Sequence, residues 1–274
     1  IYAPLAHWTW HPQGFLRTWG VLDFAGGTVV HMSAGIAALC GALFLKQRQT
    51  HGTVHLPANI PYVLLGTGML WFGWFGFNAG SALAANETAV MAFLTTNTAC
   101  AAAIAGWLAF DSIRGRRASA LGACVGAVVG LVAITPAAGY VSVGASILIG
   151  LTASVISNIA VHWKSQSSLD DTLDVFPCHG IGGMVGMLMT AVFAKDVGLI
   201  HGETKTFFMH LLALVIVFTY VFAGSFLLYR ITNFFVPLRV NPAEEEIGLD
   251  ESQHGERYGS RHGQQSGQTQ SPVV

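Results

Sequence analysis

The sequence predicts an all-α fold, a polytopic transmembrane helical bundle that carries an inverted internal repeat. Three observations predict it. Of the 274 residues 53% are apolar and only 10% are charged, where a soluble globular chain carries about 25% charged residues. The charges that exist fall between long uncharged runs. Two of those runs each hold one histidine followed by the same short pattern. A mean hydropathy of +0.54 and a net charge of -1 exclude a disordered chain and a basic nucleic-acid-binding protein.

Stretches free of Asp, Glu, Lys and Arg cover 24–45, 57–86, 88–110, 118–163, 175–194 and 206–229. A spanning helix needs roughly 20 apolar residues. The 118–163 stretch is about twice that length, and Thr135-Pro136-Ala137-Ala138-Gly139 interrupts it with helix-ending residues, so it reads as a helical hairpin. Seven spans follow, about 24–45, 58–81, 88–110, 119–135, 140–163, 176–194 and 207–230. A β-barrel is excluded, because its strands alternate in polarity over about ten residues and these runs are continuously apolar.

Lys and Arg in short loops stay on the cytoplasmic side. One face collects Lys46, Arg48, Arg114, Arg116, Arg117, Lys164, Arg230 and Arg239, the other only Arg17, Lys195 and Lys205. The expected protein is therefore a multi-pass component of the cell membrane. Its first segment, 1–22, is extracytoplasmic and rich in Trp8, Trp10, Trp19, His7 and His11, as suits a membrane interface. The membrane domain runs over 23–240 and a cytoplasmic tail over 241–274. Glu244, Glu245, Glu246, Asp250, Glu251 and Glu256 make that tail too acidic for lipid; its docking partners are expected among basic loop residues such as Arg116 and Arg117. Residues 259–274, rich in Gln, Ser and Gly, read as disordered. Cys40, Cys100, Cys124 and Cys178 lack metal-type spacing and read as small packing residues. The chain opens at Ile1 without an initiator Met or a signal-peptide pattern, and further sequence upstream is expected.

The repeat aligns His31-Met32-Ser33-Ala34-Gly35-Ile36-Ala37 with His179-Gly180-Ile181-Gly182-Gly183-Met184-Val185. The two lie on the first and sixth spans, which cross in opposite directions. Inverted repeats mark transporters, with the site at the repeat interface near the bilayer midplane. An ionisable residue inside a span is a functional candidate by default, against the plainer role of hydrogen-bonding a neighbouring helix. Matching positions favour function for the pair, whereas His210, His51, His55 and His201 take the plainer role. The run Trp71-Phe72-Gly73-Trp74-Phe75-Gly76-Phe77-Asn78-Ala79-Gly80-Ser81 sets Trp74, Phe77 and Ser81 on one helix face. Aromatic rings attract a small cation and a hydroxyl hydrogen-bonds it; alone, the run would read as a lipid-facing aromatic belt.

These motifs resemble the ammonium transporter (Amt/Mep/Rh) family, on its ammonium-transporter branch. They are Asp23-Phe24-Ala25-Gly26-Gly27-Thr28-Val29-Val30-His31, Gly73 to Ser81, Gly130 to Gly139, Asp174-Val175-Phe176 with His179-Gly180-Ile181-Gly182-Gly183, and Glu246 to Asp250 with His254-Gly255-Glu256. The resemblance runs from about residue 1 to 258. It implies an eleven-span homotrimer with one pore per subunit, of which this chain holds the fifth to eleventh spans and the outer end of the fourth. It makes His31 and His179 the twin pore histidines, Phe77 one of two stacked gate rings, and Trp74 and Val175 pore residues. Trp10 and Ser81 become the outer ammonium site, and Asp23 the carboxylate behind it, acting through the backbone and compatible with a helix N-cap. The second gate ring belongs to a span not in this chain.

The implied chemistry is transport and not enzymatic catalysis, with no cofactor, no metal and no nucleic acid. Ammonium is recruited outside and deprotonated, because a cation costs far more than neutral ammonia in an apolar pore. Neutral imidazoles, each one donor and one acceptor, relay the proton. Potassium has none to give up. The tail is expected to couple subunits and to offer a face to a PII-type signal protein. Three rival readings stand beside this one. A retinal receptor needs a Schiff-base lysine in the last span, and 206–229 has none. A bis-histidine haem protein would show a Soret band. An ammonium sensor or signalling subunit on the same scaffold differs by its uptake.

Overall fold

A computed structural model describes residues 1–52, 57 and 59–256. His55 and the Gln-, Ser- and Gly-rich end therefore lie outside the described residues. All regular structure among the described residues is helical.

The first helix, α1 (Tyr2–Trp10), and a short α2 (Phe15–Thr18) precede the spans. Leu5 and Leu16 are fully buried beside Val29, Met32, Met187 and Val217, and the Trp8 ring lies 4.6 Å from Tyr220. Residues 1–22 are thus packed helix as well as interfacial sequence, because the apolar side of each short helix finds a partner.

The spans follow as α3 (Gly27–Leu45), α4 (Ile60–Gly80), α5 (Glu87–Ile113), α6 (Ala120–Ile134), α7 (Val143–Ser165), α8 (Phe176–Phe193) and α9 (Thr204–Phe235). Six are long and apolar enough to cross a membrane, and α6 is a shorter apolar helix of 15 residues. The seven expected runs are all present. Asn59, Asn86, Ser119 and Ser142 start α4 to α7, each accepting the backbone N–H of the third residue of its helix. Thr135 ends α6 where Pro136 forbids another turn. The last span outruns its expected end and continues past Arg230, whose guanidinium lies 5.8 Å over the Phe226 ring one turn back. Two short helices, α10 (Pro242–Ile247) and α11 (Leu249–His254), form the described tail.

Glycine decides which helices touch. Gly126, Gly130 and Gly150 set α6 and α7 against the backbone of α5, where Ala99, Cys100 and Ala103 leave room. Asn158 of α7 donates to Asp111 of α5 at 2.9 Å. α4 differs: a Cβ on Gly66, Gly68, Gly73, Gly76 or Gly80 would meet nothing within 4 Å. Its packed side lies on α5 and α6, and Trp74 and Phe77 reach His31 of α3.

The two helices that carry the repeat histidines, α3 and α8, cross antiparallel. Each opens as a π-helical turn, over Gly27–Met32 and Phe176–Ile181, and continues as α-helix. At the crossing a Cβ on Gly35 would overlap the backbone nitrogen and Cα of Gly180, and one on Gly183 would lie 3.0 Å from the Gly27 carbonyl oxygen and 3.2 Å from the His31 Cβ. The glycine four residues after each histidine therefore makes space for the other repeat. Gly35→Ala is expected to lower stability by more than about 1–3 kcal/mol, since rigid backbone cannot retreat. Gly183→Ala should cost less, and thermal unfolding in detergent gives the order.

Candidate functional site

The repeat reaches further upstream than its histidine motif. Eight residues before each histidine stands an aspartate, Asp23 or Asp171. Asp23 is buried, and its carboxylate accepts from the N–H groups of Gly26, Gly27 and Thr28 at 2.6–2.8 Å and from the Thr28 hydroxyl at 2.6 Å. In the second repeat Asp171 accepts the Phe176 N–H at 2.7 Å, the position equivalent to Thr28. Five residues before each histidine the chain turns through positive φ, at Gly26 (118°) and Asp174 (54°). Aspartate tolerates that region better than most side chains. Each aspartate thus caps a π-helical start, where N–H groups otherwise lack partners.

The capped turns deliver the two imidazoles to one place, with ring centroids 5.6 Å apart. Trp74 stacks on His31 at 5.3 Å and 18°, and Phe77 lies 5.9 Å from it. His31 is held from the other side by Thr135, whose hydroxyl oxygen sits 3.0 Å from both His31 Nε2 and Trp74 Nε1. That hydroxyl donates its own proton to the Leu131 carbonyl at 2.8 Å. The indole N–H is a donor only, so the Thr135 oxygen accepts from both rings, His31 carries its proton on Nε2, and Nδ1 is left as acceptor. Around the pair opens a cavity of about 650 Å³ lined by Val30, His31, Ala34, Met69, Leu70, Trp74, Phe77 and His179, with Gly66 and Gly73 on the α4 side.

Four expected site residues therefore meet at this cavity: His31, His179, Trp74 and Phe77. Trp10 and Asp23 meet one another, the indole donating to the Asp23 carbonyl at 2.8 Å. Ser81 donates to the Phe77 carbonyl at 2.9 Å, at the end of α4. Val175 sits at the head of α8, outside the cavity lining. Thr135 was not singled out from sequence; its signal was a polar residue directly before the hairpin proline. His210 is buried, its Nδ1 2.8 Å from the Thr206 carbonyl and its Nε2 accepting the Leu22 N–H at 3.2 Å, and so fastens α9 to the turn ahead of Asp23.

The basic loop residues form a network at the Asp171 end. Arg48 binds Asp170 through its main-chain N–H at 2.8 Å and its guanidinium at 2.7–2.9 Å, and His51 lies 3.7 Å from the same carboxylate. Burial opposes charge on Asp170, but the Arg48 hydrogen bonds and charge outweigh it and hold the carboxyl down to about 2. The tail docks here. Glu245 accepts from the Gln49 N–H at 2.7 Å and pairs with Arg239, which also donates to the Leu45 and Gln47 carbonyls. Those Gln49 and Arg239 contacts keep the Glu245 carboxyl below its usual range. Within this chain Glu245 is thus held by Gln49 and Arg239, while Arg116 pairs with Asp111 and lies beside His162, and Arg117 is exposed.

Antiparallel repeats of apolar helices crossing at paired imidazoles define a polytopic membrane protein of the inverted-repeat transporter class. The sequence profile of the Ammonium Transporter Family matches residues 1–258, and the chain belongs to that family. It is 43% identical over 265 residues to the ammonium transporter of Bacillus subtilis (strain 168), covering 94% of this chain and 65% of that one. It is 45% identical over 265 residues to a putative ammonium transporter of Methanothermobacter thermautotrophicus, with 93% and 64% covered. The fold matches the crystal structure of Candida albicans Mep2 with a TM-score of 0.83 at 35% identity, covering 89% of this chain and 58% of that one. A structure described as Sensor Amt Protein matches with a TM-score of 0.86 at 31% identity, covering 92% and 66%. The chain spans less than two thirds of the length of these curated relatives.

Two outcomes are expected. Thr135→Val, which keeps the shape and removes the acceptor, should cost about 1–3 kcal/mol of unfolding stability by stranding two buried donors, and Thr135→Ser should not. Because the Asp170 carboxyl titrates near 2 and an unfolded aspartate near 4, the Arg48–Asp170 pairing stabilises fully above about pH 4 and is lost as pH falls toward 2. Amide exchange over residues 46–51, normalised to the intrinsic rate at each pH, should rise over that window in the wild type and be already high at pH 4 in Asp170→Asn.

Proposed function

We propose that this chain forms the histidine-bearing part of an ammonium-conducting pore. The observation that carries the reading is the meeting of His31 and His179 at the crossing of the two repeats, beside an apolar cavity floored by Trp74 and Phe77. Trp10 and Ser81, with Asp23 behind them, recruit ammonium at the Asp23 end. Phe77 gates the entrance. An indole face and a hydroxyl suit a small cation, and the aspartate acts by fixing the turn, since its oxygens are already occupied by Gly26, Gly27 and Thr28. Ammonia then passes the imidazoles, whose acceptor and donor nitrogens receive and return a proton. Val175, four residues ahead of His179, belongs to the exit.

The same reading places the Asp171 end, with its basic residues and docked tail, in the cytoplasm and the Asp23 end outside. It assigns a homotrimer, and it has the open glycine face of α4 and the open side of the cavity covered by the additional length that the relatives possess. A PII-type protein would bind at the tail end, where Glu245 already bridges two loops. A second reading, an ammonium sensor on the same scaffold, is favoured by the likeness to the Sensor Amt Protein and differs by lacking ammonium uptake at normal membrane abundance.

His31→Ala or His179→Ala in the full protein removes one of the two imidazoles and opens the pore to water. At matched abundance, discrimination of ammonium against potassium should fall by about tenfold or more, read as methylammonium uptake and potassium current. Unchanged rate and unchanged potassium exclusion in both variants would sink the histidine mechanism.

A further inference from the structure

The repeat symmetry gives the main-chain carbonyl of each capping aspartate one side-chain donor. At Asp23 the donor is the Trp10 indole, 2.8 Å away. At Asp171 it is the Lys164 ammonium, 2.7 Å away. Lys164 is the last charged residue of α7 and reaches across to the head of α8, where its Nζ also pairs with the Asp174 carboxylate at 2.7 Å. Both side chains are largely covered, 13% and 26% exposed. Asp174 is the residue that turns through positive φ, and its carbonyl accepts the Cys178 N–H at 2.9 Å, one residue before His179. The Asp171 carboxylate accepts the Phe176 N–H from the same turn. Lys164 therefore grips the turn at its first and last corners, and that turn sets the phase of the π-helical segment presenting His179.

We infer that Lys164 is a positioning residue for the pore: through Asp171 and Asp174 it fixes the rotation of the α8 head and so the place of the His179 ring, as Trp10 and Asp23 do for His31. The assignment rests on the ammonium-pore reading, but its structural core does not. Burial disfavours the charged Asp174 carboxylate, with Asp171 adding to that and Lys164 opposing it. Without the lysine, Asp174, which stands at positive φ, would lose its charged partner. In the first repeat Gly26 takes the corresponding turn with no side chain and needs no such partner. The neighbouring Asp170 is committed to Arg48 and His51 and cannot substitute for it.

The test uses the full protein in proteoliposomes, with Lys164→Met, Lys164→Arg and Asp174→Asn beside wild type. Asn tolerates positive φ, so Asp174→Asn removes the ion pair without forbidding the turn. Lys164→Met and Asp174→Asn should each lose about tenfold or more of the discrimination between ammonium and potassium. The half-saturating ammonium concentration, set at the other end of the pore, should hold. Lys164→Arg should restore discrimination. Amide exchange at Phe176 and Cys178 should rise in Lys164→Met and return to normal in Lys164→Arg, a measurement that needs no transport. Loss of abundance or melting temperature with discrimination per molecule unchanged overturns the assignment, as does equal loss in Lys164→Arg. If the wild type moves no ammonium, the ammonium reading fails and the exchange result alone decides whether Lys164 sets the turn.

Discussion

The structure depends on one close approach, the crossing of α3 and α8 at Gly35 and Gly183. In an apolar solvent two helices gain little from burying more apolar surface, and they associate through contact and through satisfied polar groups. Here each repeat presents bare backbone to the backbone of the other. A side chain at either glycine would push the histidine turns apart. The 5.6 Å separation of the imidazoles follows from that approach and widens as the two backbones part.

Holding the crossing is not sufficient, because an imidazole must also face the right way. Each histidine sits on a π-helical turn whose first N–H groups are bound by an aspartate eight residues earlier. The cap fixes the rotation of the turn and the turn fixes the ring. His31 is further locked by the Thr135 hydroxyl, which is shared with Trp74 and satisfied at Leu131. This closed set of donors and acceptors determines the tautomer of His31 without any charge being placed in the apolar interior. The ends differ in kind: the carbonyl at Asp23 receives a neutral indole, and the carbonyl at Asp171 receives an ammonium group.

The basic residues at the Asp171 end have a structural role. Arg48 joins the segment after α3 to Asp170, next to the residue that caps α8. Arg239 and Gln49 then fasten Glu245 to that same segment. A covalent and hydrogen-bonded path therefore runs from the tail, through residues 46–49, to the head of the histidine helix. His210 gives the Asp23 end a comparable fastening to α9 through Leu22.

Composition and periodicity by themselves determined the class of the protein, its seven apolar helices and their breaks. Those follow from local rules: the cost of charge in lipid, the length of a bilayer, and the refusal of Pro136 to continue a helix. The histidine pair was legible too, since an ionisable group in a span announces itself and the glycine at the fifth position repeats. Only the tertiary structure decided the rest. Asp174 as the mate of Gly26 was hidden because either residue type can take a positive φ, and Asp171 as the mate of Asp23 because an aspartate at the same offset does not show its cap until the N–H groups it binds are placed. Thr135 was hidden because a hydroxyl before a proline is ordinary until two indole and imidazole donors converge on it. The tail's true partners were hidden because Arg116 and Arg239 look alike in a charge count, and which one reaches Glu245 is set by where α5 and α9 end in space.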